Sequence, residues 1–407
     1  MNGPRSGPRP LGLHLAVATG IALSVGPGYA AARAGAVPWP DGLRDEAEGL
    51  LADMAAHDPA RLGLAIAEEG HARLGRMISG IDKYQGHSYR RDLADPPVLW
   101  REGSTRLLDF GPGDAAPGDR LPILFVPSLI NRAYVLDLMP ERSLMRHLAA
   151  RGFRPLLLDW GMPGADERAF DLTAYVAGRL VRALDVAVDA HDGRPVGLAG
   201  YCMGGNLAVA VATLAPERIA RLALLATPWD FHAELNPTAR MLATTETLWE
   251  PVLAAVGELP VDYLQALFAS LDPGLAMRKF SRFDRLDPAG PHAAEFVALE
   301  DWLNDGVALP AAVARECLGG WYGANSTAGG AWRIAGQIVD PAAVRLPTMA
   351  AIPARDRIVP RPSALALAGT IPDCRILTPP SGHIGMVTSA RAPSGLWRDL
   401  EDWFAGA

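Results

Sequence analysis

The sequence predicts an α/β fold built on a mostly parallel sheet, and two observations support this. First, short apolar runs alternate with helical stretches from residue 121 onward. Second, a helical and aromatic-rich stretch at about 231–331 interrupts the alternation after a strand, as an inserted cap would. The apolar runs are Leu121–Val126, Pro155–Leu158, Val196–Ala199, Leu222–Ala226, Thr348–Ile352 and Arg375–Leu377. Such alternation indicates βαβ units, whose ligands bind beyond the carboxyl ends of the strands.

The composition of the 407-residue chain is that of a globular protein. Hydrophobic residues make up 49% and charged residues 20%, which suits a sizeable core and excludes a disordered chain. The formal net charge of −7 lacks the basic footprint of a general nucleic-acid-binding protein, so we predict no nucleic-acid partner. Three cysteines are too few and too scattered for a disulfide framework or a Cys-rich zinc site.

Residues 1–94 form a predicted N-terminal helical segment, which contains an apolar stretch at 11–26. Arg5 and Arg9 precede this stretch and no acidic residue occurs before Asp41, as in a secretory signal peptide. The alternative is a retained apolar helix that packs on the main domain or lies on a hydrophobic surface. The stretch is shorter than the about 20 residues that a membrane-spanning helix needs.

The boundary of the N-terminal segment is predicted near residue 94. Apolar residues recur at helical spacing between residues 41 and 82, and Asp58-Pro59 supplies an N-cap followed by proline at the first helical position. From Asp95 the chain changes to prolines and short β-rich runs. We therefore predict a catalytic domain at 95–407 that includes the inserted cap.

The segment from Gly200 to Gly205, which reads Gly-Tyr-Cys-Met-Gly-Gly, follows a predicted strand and opens a predicted helix. This is the nucleophile-elbow pattern, with Cys202 where serine is commoner. The glycines allow a strained turn with closely packed neighbours. At the helix N-terminus, backbone amides and the helix dipole favour a thiolate. We predict Cys202 as the nucleophile and the Met203 amide as one oxyanion donor, with the second donor near Leu129 and Ile130.

A cysteine nucleophile needs a base, and the base needs an orienting group. In this strand–helix class the order along the chain is nucleophile, acid, histidine. Asp356 follows the predicted strand Thr348–Ile352, and His383 follows Arg375–Leu377. Both therefore fall on loops at the sheet edge that carries Cys202, and we predict that the three residues form a catalytic triad.

Each triad residue also has a simpler interpretation. An isolated cysteine is usually a small buried hydrophobe, Asp356 can cap its loop, and His383 can belong to a turn. The glycines around Cys202 and the joint occurrence of all three residues favour the triad. We assign Cys317 and Cys374 to packing. The other histidines form no pair at metal-ligand spacing and no phosphate or dinucleotide fingerprint occurs, so we predict no metal and no cofactor.

Beyond the elbow, several stretches between about residues 120 and 390 resemble the polyhydroxyalkanoate synthases, a family with an α/β-hydrolase fold. They are Val126–Arg132 continuing to Ser143, Asp159-Trp160-Gly161, Gly200–Gly205, Thr227–Phe231, Asp356–Pro360 and Ser381–Ile384. The catalytic Cys, Asp and His of that family match Cys202, Asp356 and His383. The chain departs from the family at Arg357, where many members have histidine, and at Ala133, where an aromatic residue is common.

The resemblance implies an acyltransferase that moves 3-hydroxyacyl groups from CoA, through a Cys202 thioester, to a growing hydroxyacyl chain. It implies (R)-3-hydroxyacyl-CoA as substrate, and a polymer granule, a second synthase subunit or a homodimer as the partners to consider. A CoA substrate implies a cytoplasmic location, so secretion is the less favoured interpretation of the N-terminus. Two alternatives stay open: a Cys-nucleophile hydrolase of esters, thioesters or the polymer, and a non-catalytic granule-associated protein.

Overall fold

A central sheet organises the computed structural model, which describes residues 5–111, 121–234 and 237–406. Within these residues the sheet has eight strands: β1 (Val98–Glu102), β2 (Thr105–Asp109), β3 (Pro122–Val126), β4 (Arg154–Asp159), β5 (Val196–Tyr201), β6 (Ile219–Leu225), β7 (Thr348–Ala351) and β8 (Arg375–Leu377). Their order is β1-β2-β4-β3-β5-β6-β7-β8. β2 is antiparallel to β1 and β4, and all other pairs are parallel. The predicted fold class is confirmed.

The central strands could be predicted from the sequence because they are buried and therefore apolar along their whole length. β3 and β5 are neighbours in the middle of the sheet and are buried along their whole length. Parallel strands covered on both faces read as continuous apolar runs, and six of the strands, β3 to β8, correspond to the predicted runs. β1 is largely exposed, so its sequence carries only a weak strand signal.

Helices make up most of the rest of the described chain. They are α1 (Leu11–Arg33), α2 (Arg44–Ala55), α3 (Pro59–Gln85), α4 (Leu144–Ala150), α5 (Val181–Asp189), α6 (Met203–Leu214), α7 (Pro237–Thr244), α8 (Glu246–Val256), α9 (Val261–Leu271), α10 (Leu275–Phe283), α11 (Pro291–Asn304), α12 (Ala311–Arg315), α13 (Arg361–Thr370), α14 (Gly385–Thr388) and α15 (Leu396–Ala405). Ala174–Leu180 and Glu316–Gly323 are π-helical, a form that often marks functional sites.

Short elements complete the description. Single 3₁₀ turns occupy Asp41–Leu43, Ala133–Leu136, Glu167–Ala169, Pro216–Arg218 and Pro341–Ala343. Small antiparallel ladders pair Asp137–Met139 with Arg142–Ser143, Glu258–Leu259 with Leu309–Pro310, and Arg333–Ile334 with Gln337–Ile338.

The described chain divides into two compact units. One contains residues 5–90 and 272–304, and the other contains residues 91–271 and 305–406. The cap predicted at 231–331 is thus divided, because 272–304 pack with the N-terminal helices. The reason is a small core in which Met77 and Tyr84 of α3 pack with Phe280 of α10. Such long-range packing leaves no local pattern in the sequence. Residues 1–4 of the predicted N-terminal segment and 235–236 of the predicted cap lie outside the described residues.

The apolar N-terminal stretch forms α1, a longer helix than the sequence predicted. Among the described helices, α1 is the one whose length and composition would allow it to cross a membrane, a property that signal sequences and core helices share. Its Ala22 and Val25 contact Gly70 of α3, and its Tyr29 lies against Gly63 of the same helix. That this segment is retained rather than cleaved stays a prediction.

The contact between α3 and α10 predicts opposite effects for two glycines of one helix. A Cβ on Gly80 would lie 2.8 Å from the carbonyl carbon of Phe280, whereas a Cβ on Gly75 would meet open space. We expect Gly80→Ala to lower the free energy of unfolding by about 1–3 kcal/mol through overpacking. Gly75→Ala is the matched control and should raise it by about 0.5–1 kcal/mol. Urea denaturation followed by circular dichroism measures both, and a stabilising Gly80→Ala would contradict the packing described here.

Candidate active site

Cys202 occupies the single-residue turn between β5 and α6. Its backbone has φ 56° and ψ −128°, a combination that side-chain-bearing residues rarely adopt and that costs on the order of 1–3 kcal/mol. Two hydrogen bonds hold the turn: the Cys202 amide donates to the Leu225 carbonyl at 2.8 Å, and the Gly205 amide donates to the Cys202 carbonyl at 2.9 Å. The turn presents the sulfur beyond the carboxyl end of β5, as the elbow pattern predicted.

Two glycines after Cys202 let α6 approach its neighbours closely. A Cβ on Gly204 would collide with the carbonyl oxygen of Val126 at the end of β3, and a Cβ on Gly205 would collide with the side chain of Thr227. Any larger residue at either position would push the first turn of α6 away from the strand ends. The sequence pattern Gly-x-Cys-x-Gly-Gly is therefore a packing requirement of this turn.

His383 and Asp356 lie together although 27 positions separate them in the chain. The His383 Nδ1 and the Asp356 Oδ2 are 2.7 Å apart, and both side chains are buried. The other carboxylate oxygen, Oδ1, accepts hydrogen bonds from the amides of Ile358 at 2.8 Å and Val359 at 2.9 Å. These bonds fix the carboxylate, and the carboxylate fixes the imidazole.

The Cys202 side chain is the other neighbour that acts on the pKa of His383. Since Nδ1 is taken by Asp356, Nε2 is the nitrogen that remains for the sulfur. Burial by itself lowers the pKa of His383, but the charge of Cys202 and the hydrogen bonds from Asp356 and Cys202 outweigh it and raise this pKa to about 10. The imidazole is therefore protonated beside the sulfur, an arrangement that favours a thiolate. The structure brings the three residues of the predicted triad together.

Tyr201, which the sequence analysis did not single out, packs against the imidazole. The two ring centroids are 5.3 Å apart with the planes inclined by 33°, and the Tyr201 hydroxyl donates to the His383 carbonyl at 3.3 Å. Burial, together with the charges of Cys202 and Asp356, raises the pKa of Tyr201, so its hydroxyl stays neutral. Its position directly before the nucleophile was the only sequence signal that could have identified it.

Hydrogen bonding in the loop after β3 shows which of the candidate amides is available to bind an oxyanion. The Ile130 amide donates to the Ser128 hydroxyl at 3.1 Å and is therefore already bonded. Among the described residues, the Leu129 amide has no protein acceptor, and Met203 is the first residue of α6, where an amide has no intrahelical acceptor. The Trp160 indole donates a hydrogen bond to the Pro127 carbonyl at 3.0 Å, which anchors the start of this loop.

An apolar cavity of about 70 Å³ lies beside the triad loops. Its lining includes Ile130 of the β3 loop, Ile358 of the Asp356 loop and Tyr322 of the π-helical stretch Glu316–Gly323. Burial and the charge of Cys202 raise the pKa of Tyr322. Cys317 also lines the cavity, with its pKa raised well above the ordinary value by burial. No group of three or more His, Cys, Asp or Glu side chains in the described ranges is arranged to hold a metal ion.

Comparisons with known proteins agree with this architecture. The family model described as "alpha/beta hydrolase fold" matches residues 122–390, from the start of β3 to beyond His383. The poly(3-hydroxyalkanoate) polymerase subunit PhaC of Haloferax mediterranei is 30% identical over 316 residues, which are 76% of this chain and 63% of that protein. The subunit PhaC of Allochromatium vinosum is 28% identical over 295 residues, 72% of this chain and 82% of that protein.

Among solved structures, a hydrolase from Pseudomonas aeruginosa PA01 matches with 21% identity and a TM-score of 0.46, over 74% of this chain and 94% of that one. This chain spans somewhat less than two thirds of the Haloferax mediterranei relative. The family that the sequence motifs predicted is confirmed: the chain belongs to the α/β-hydrolase fold family and, within it, to the polyhydroxyalkanoate synthases.

Proposed function

We propose that the protein is an acyltransferase that moves 3-hydroxyacyl groups from CoA, through a thioester on Cys202, to a growing hydroxyacyl chain. The observation that carries the proposal is the arrangement of the Cys202 thiol, the protonated His383 imidazole and the Asp356 carboxylate at a nucleophile elbow. The kinship with proteins named poly(3-hydroxyalkanoate) polymerase supports the choice of acyl group.

Acylation of the enzyme follows from this arrangement. The Cys202 thiolate attacks the carbonyl carbon of the acyl-CoA, so that a new carbon–sulfur bond forms and the bond to the CoA sulfur breaks. His383 gives its proton to the departing CoA thiolate. Asp356 holds the imidazole in the required tautomer and orientation throughout. One thioester replaces another in this step, so the acyl group stays activated.

Transfer to the growing hydroxyacyl chain uses the same groups, with His383 now acting as a base instead of an acid. The now neutral His383 takes the proton of a 3-hydroxyl group, whose oxygen attacks the Cys202 thioester. An ester bond forms, the carbon–sulfur bond breaks, and the Cys202 thiolate is restored beside a protonated His383. The proposal thus needs no cofactor besides the CoA of the substrate.

The negative charge on the carbonyl oxygen requires preorganised donors in both steps. We assign this role to the backbone amides of Met203 and Leu129. The sequence analysis offered Ile130 as well, but its amide already donates to Ser128. The apolar cavity beside the site excludes water from the acyl-enzyme and so favours transfer over hydrolysis.

We also propose a location and partners for the enzyme. An acyl-CoA substrate fits a cytoplasmic location, with a polymer granule, a second synthase subunit or a second copy of this chain as the partners to test. The alignment with the Allochromatium vinosum relative covers 82% of that protein, which is named a subunit, and this supports the search for a second subunit.

The nucleophile can be tested with one substrate. We expect Cys202→Ala to abolish the release of free CoA from (R)-3-hydroxybutyryl-CoA, because Cys202 supplies the sulfur of the proposed thioester. Cys374→Ala is the matched control and should retain the activity, since Cys374 follows the Asp373 turn at the start of β8. Analysis of the products separates transfer, which yields oligomer or polymer, from hydrolysis, which yields free acid. Turnover by the Cys202 variant would refute the mechanism.

Thiol reactivity tests the ion pair without any substrate. We expect iodoacetamide at pH 7 to alkylate Cys202 before the other cysteines, because the neighbouring imidazolium favours its thiolate. Burial raises the pKa of Cys374 to about 11 and that of Cys317 well above its ordinary value, so both stay protonated. Peptide mass spectrometry over time gives the order. An unchanged rate at Cys202 in His383→Gln would show that the imidazole does not activate the sulfur.

Asp356→Asn tests the orienting group. Asparagine can keep the acceptor for the amides of Ile358 and Val359, but it removes the negative charge beside His383. The pKa of His383 should therefore fall, and CoA release should slow by about 100-fold or more. Between pH 6 and 8, alkylation of Cys202 should also be slower than in the unmodified protein, because less imidazolium is present to stabilise its thiolate. Normal kinetics in this variant would exclude a role for the carboxylate.

A further inference from the structure

Tyr201 connects the strand that ends at the nucleophile with the histidine of the triad. It is the last residue of β5 and precedes Cys202 in the chain, and it is only 4% exposed. Its hydroxyl donates to the carbonyl of His383 at 3.3 Å, and its ring lies 5.3 Å from the His383 imidazole, centroid to centroid. One side chain therefore contacts both the backbone and the ring of the same residue.

The centre of the sheet fixes the position of Tyr201. In the parallel ladder between β5 and β6, Tyr201 lies opposite Leu225. The amide of Cys202 donates to the carbonyl of the same Leu225 at 2.8 Å. β5 is buried along its whole length. The sulfur and the Tyr201 ring are thus held by one rung of a buried ladder.

The loop that carries His383 has less support from the sheet. It follows β8, the three-residue strand at the edge of the sheet, in which two of the three residues are exposed. Two strands, β6 and β7, separate β8 from β5. Segments with few buried contacts open more readily than the centre of a sheet. His383 therefore needs contacts from elsewhere if it is to keep a constant position beside Cys202.

Backbone hydrogen bonds tie this loop to the loop after β7. The Ala354 amide donates to the Pro379 carbonyl at 2.9 Å, and the Arg355 amide donates to the Ser381 carbonyl at 3.0 Å. Together with the 2.7 Å contact between the His383 imidazole and the carboxylate of the triad, these bonds join the two loops to each other. The tyrosine at the end of β5 adds the connection to the nucleophile turn, because it reaches across two strands.

The ring of Tyr201 also suits a charged imidazole. Burial raises the pKa of Tyr201, so the ring carries no charge of its own. The two ring planes are inclined by only 33°, so the imidazole partly faces the π surface of the tyrosine, and such a surface attracts a cation. The charges that act on the imidazole are those of Cys202 and Asp356. Tyr201 adds a neutral aromatic wall that favours the same protonated form.

We infer that Tyr201 is a positioning residue: its hydroxyl fixes the backbone of His383, and its ring fixes the plane of the imidazole beside Cys202. It acts through His383 rather than on the substrate. The inference rests on the proposed function, in which His383 exchanges a proton with the sulfur and with the substrate. The residue directly before the nucleophile thereby sets the position of a base that comes from the edge of the sheet.

Two variants separate the hydroxyl from the ring. Tyr201→Phe removes only the hydrogen bond, so kcat for CoA release from (R)-3-hydroxybutyryl-CoA should fall by about threefold to tenfold at unchanged KM. Tyr201→Leu removes the ring as well, and kcat should fall by about 100-fold, as expected for a misplaced catalytic group. Tyr84→Phe is the matched control and should leave kcat unchanged. Tyr84 is equally buried and donates to Asp301 at 2.9 Å, but it belongs to the compact unit that lacks the triad.

The pH profile of Cys202 alkylation gives a second measurement, which needs no substrate and which a mere loss of stability would not change. In the unmodified protein the rate with iodoacetamide should vary by less than about threefold between pH 6 and 9, because the imidazolium maintains the thiolate. Tyr201→Leu should make the rate rise by about tenfold or more over this range, because the imidazolium loses the ring that favours it. Tyr201→Phe and Tyr84→Phe should keep the flat profile.

The outcomes distinguish the inference from the proposed function. A flat alkylation profile in Tyr201→Leu, or an unchanged kcat in Tyr201→Phe, overturns the inference, while CoA release by the unmodified protein upholds the proposed function. If Tyr201→Leu does not fold, the kcat of Tyr201→Phe decides. If the unmodified protein releases no CoA, the proposed function fails, and the alkylation profiles still show whether Tyr201 holds His383 beside the sulfur.

Discussion

The close contact between the first turn of α6 and the ends of β3 and β6 is the constraint on which the site depends. Gly204 and Gly205 leave no room for a side chain there, so the helix begins directly against the strands. Cys202 must then adopt a backbone conformation that is costly for any residue with a Cβ. The hydrogen bond from its amide to the Leu225 carbonyl and the packing of α6 offset that cost. The result is a sulfur held at one position, which nucleophilic attack requires.

Burial determines the charge states of the groups around Cys202. A buried histidine without partners would lose its proton, yet His383 keeps it because the Asp356 carboxylate at Nδ1 and the charge of Cys202 raise its pKa. The Asp356 carboxylate in turn is held by two backbone amides, so the charges are neither solvated nor unpaired. In the proposed mechanism the proton only moves between sulfur, imidazole and substrate oxygen, and the buried charges are restored at the end of each cycle.

The triad and the apolar cavity share the π-helical stretch Glu316–Gly323 as a neighbour. Thioester chemistry needs a neutral environment for the acyl chain and a polar one for the reacting carbonyl, and the two lie side by side at the π-helical stretch Glu316–Gly323. Tyr322 belongs to both regions, because it lines the cavity and the charge of Cys202 contributes to its raised pKa. The triad residues and the apolar cavity therefore meet at this stretch.

The sequence by itself determined the strands β3 to β8, the elbow and the order of nucleophile, acid and histidine. Buried parallel strands and a strained glycine-rich turn restrict residue type locally, and local restrictions are visible in one chain. Only the tertiary structure decided that 272–304 pack with the N-terminal helices, that Tyr201 lies against His383, that the Ile130 amide is already bonded, and that an apolar cavity lies between the β3 loop and the Asp356 loop. These features arise from contacts between segments far apart in the chain, and such contacts place no periodic demand on the residues that make them.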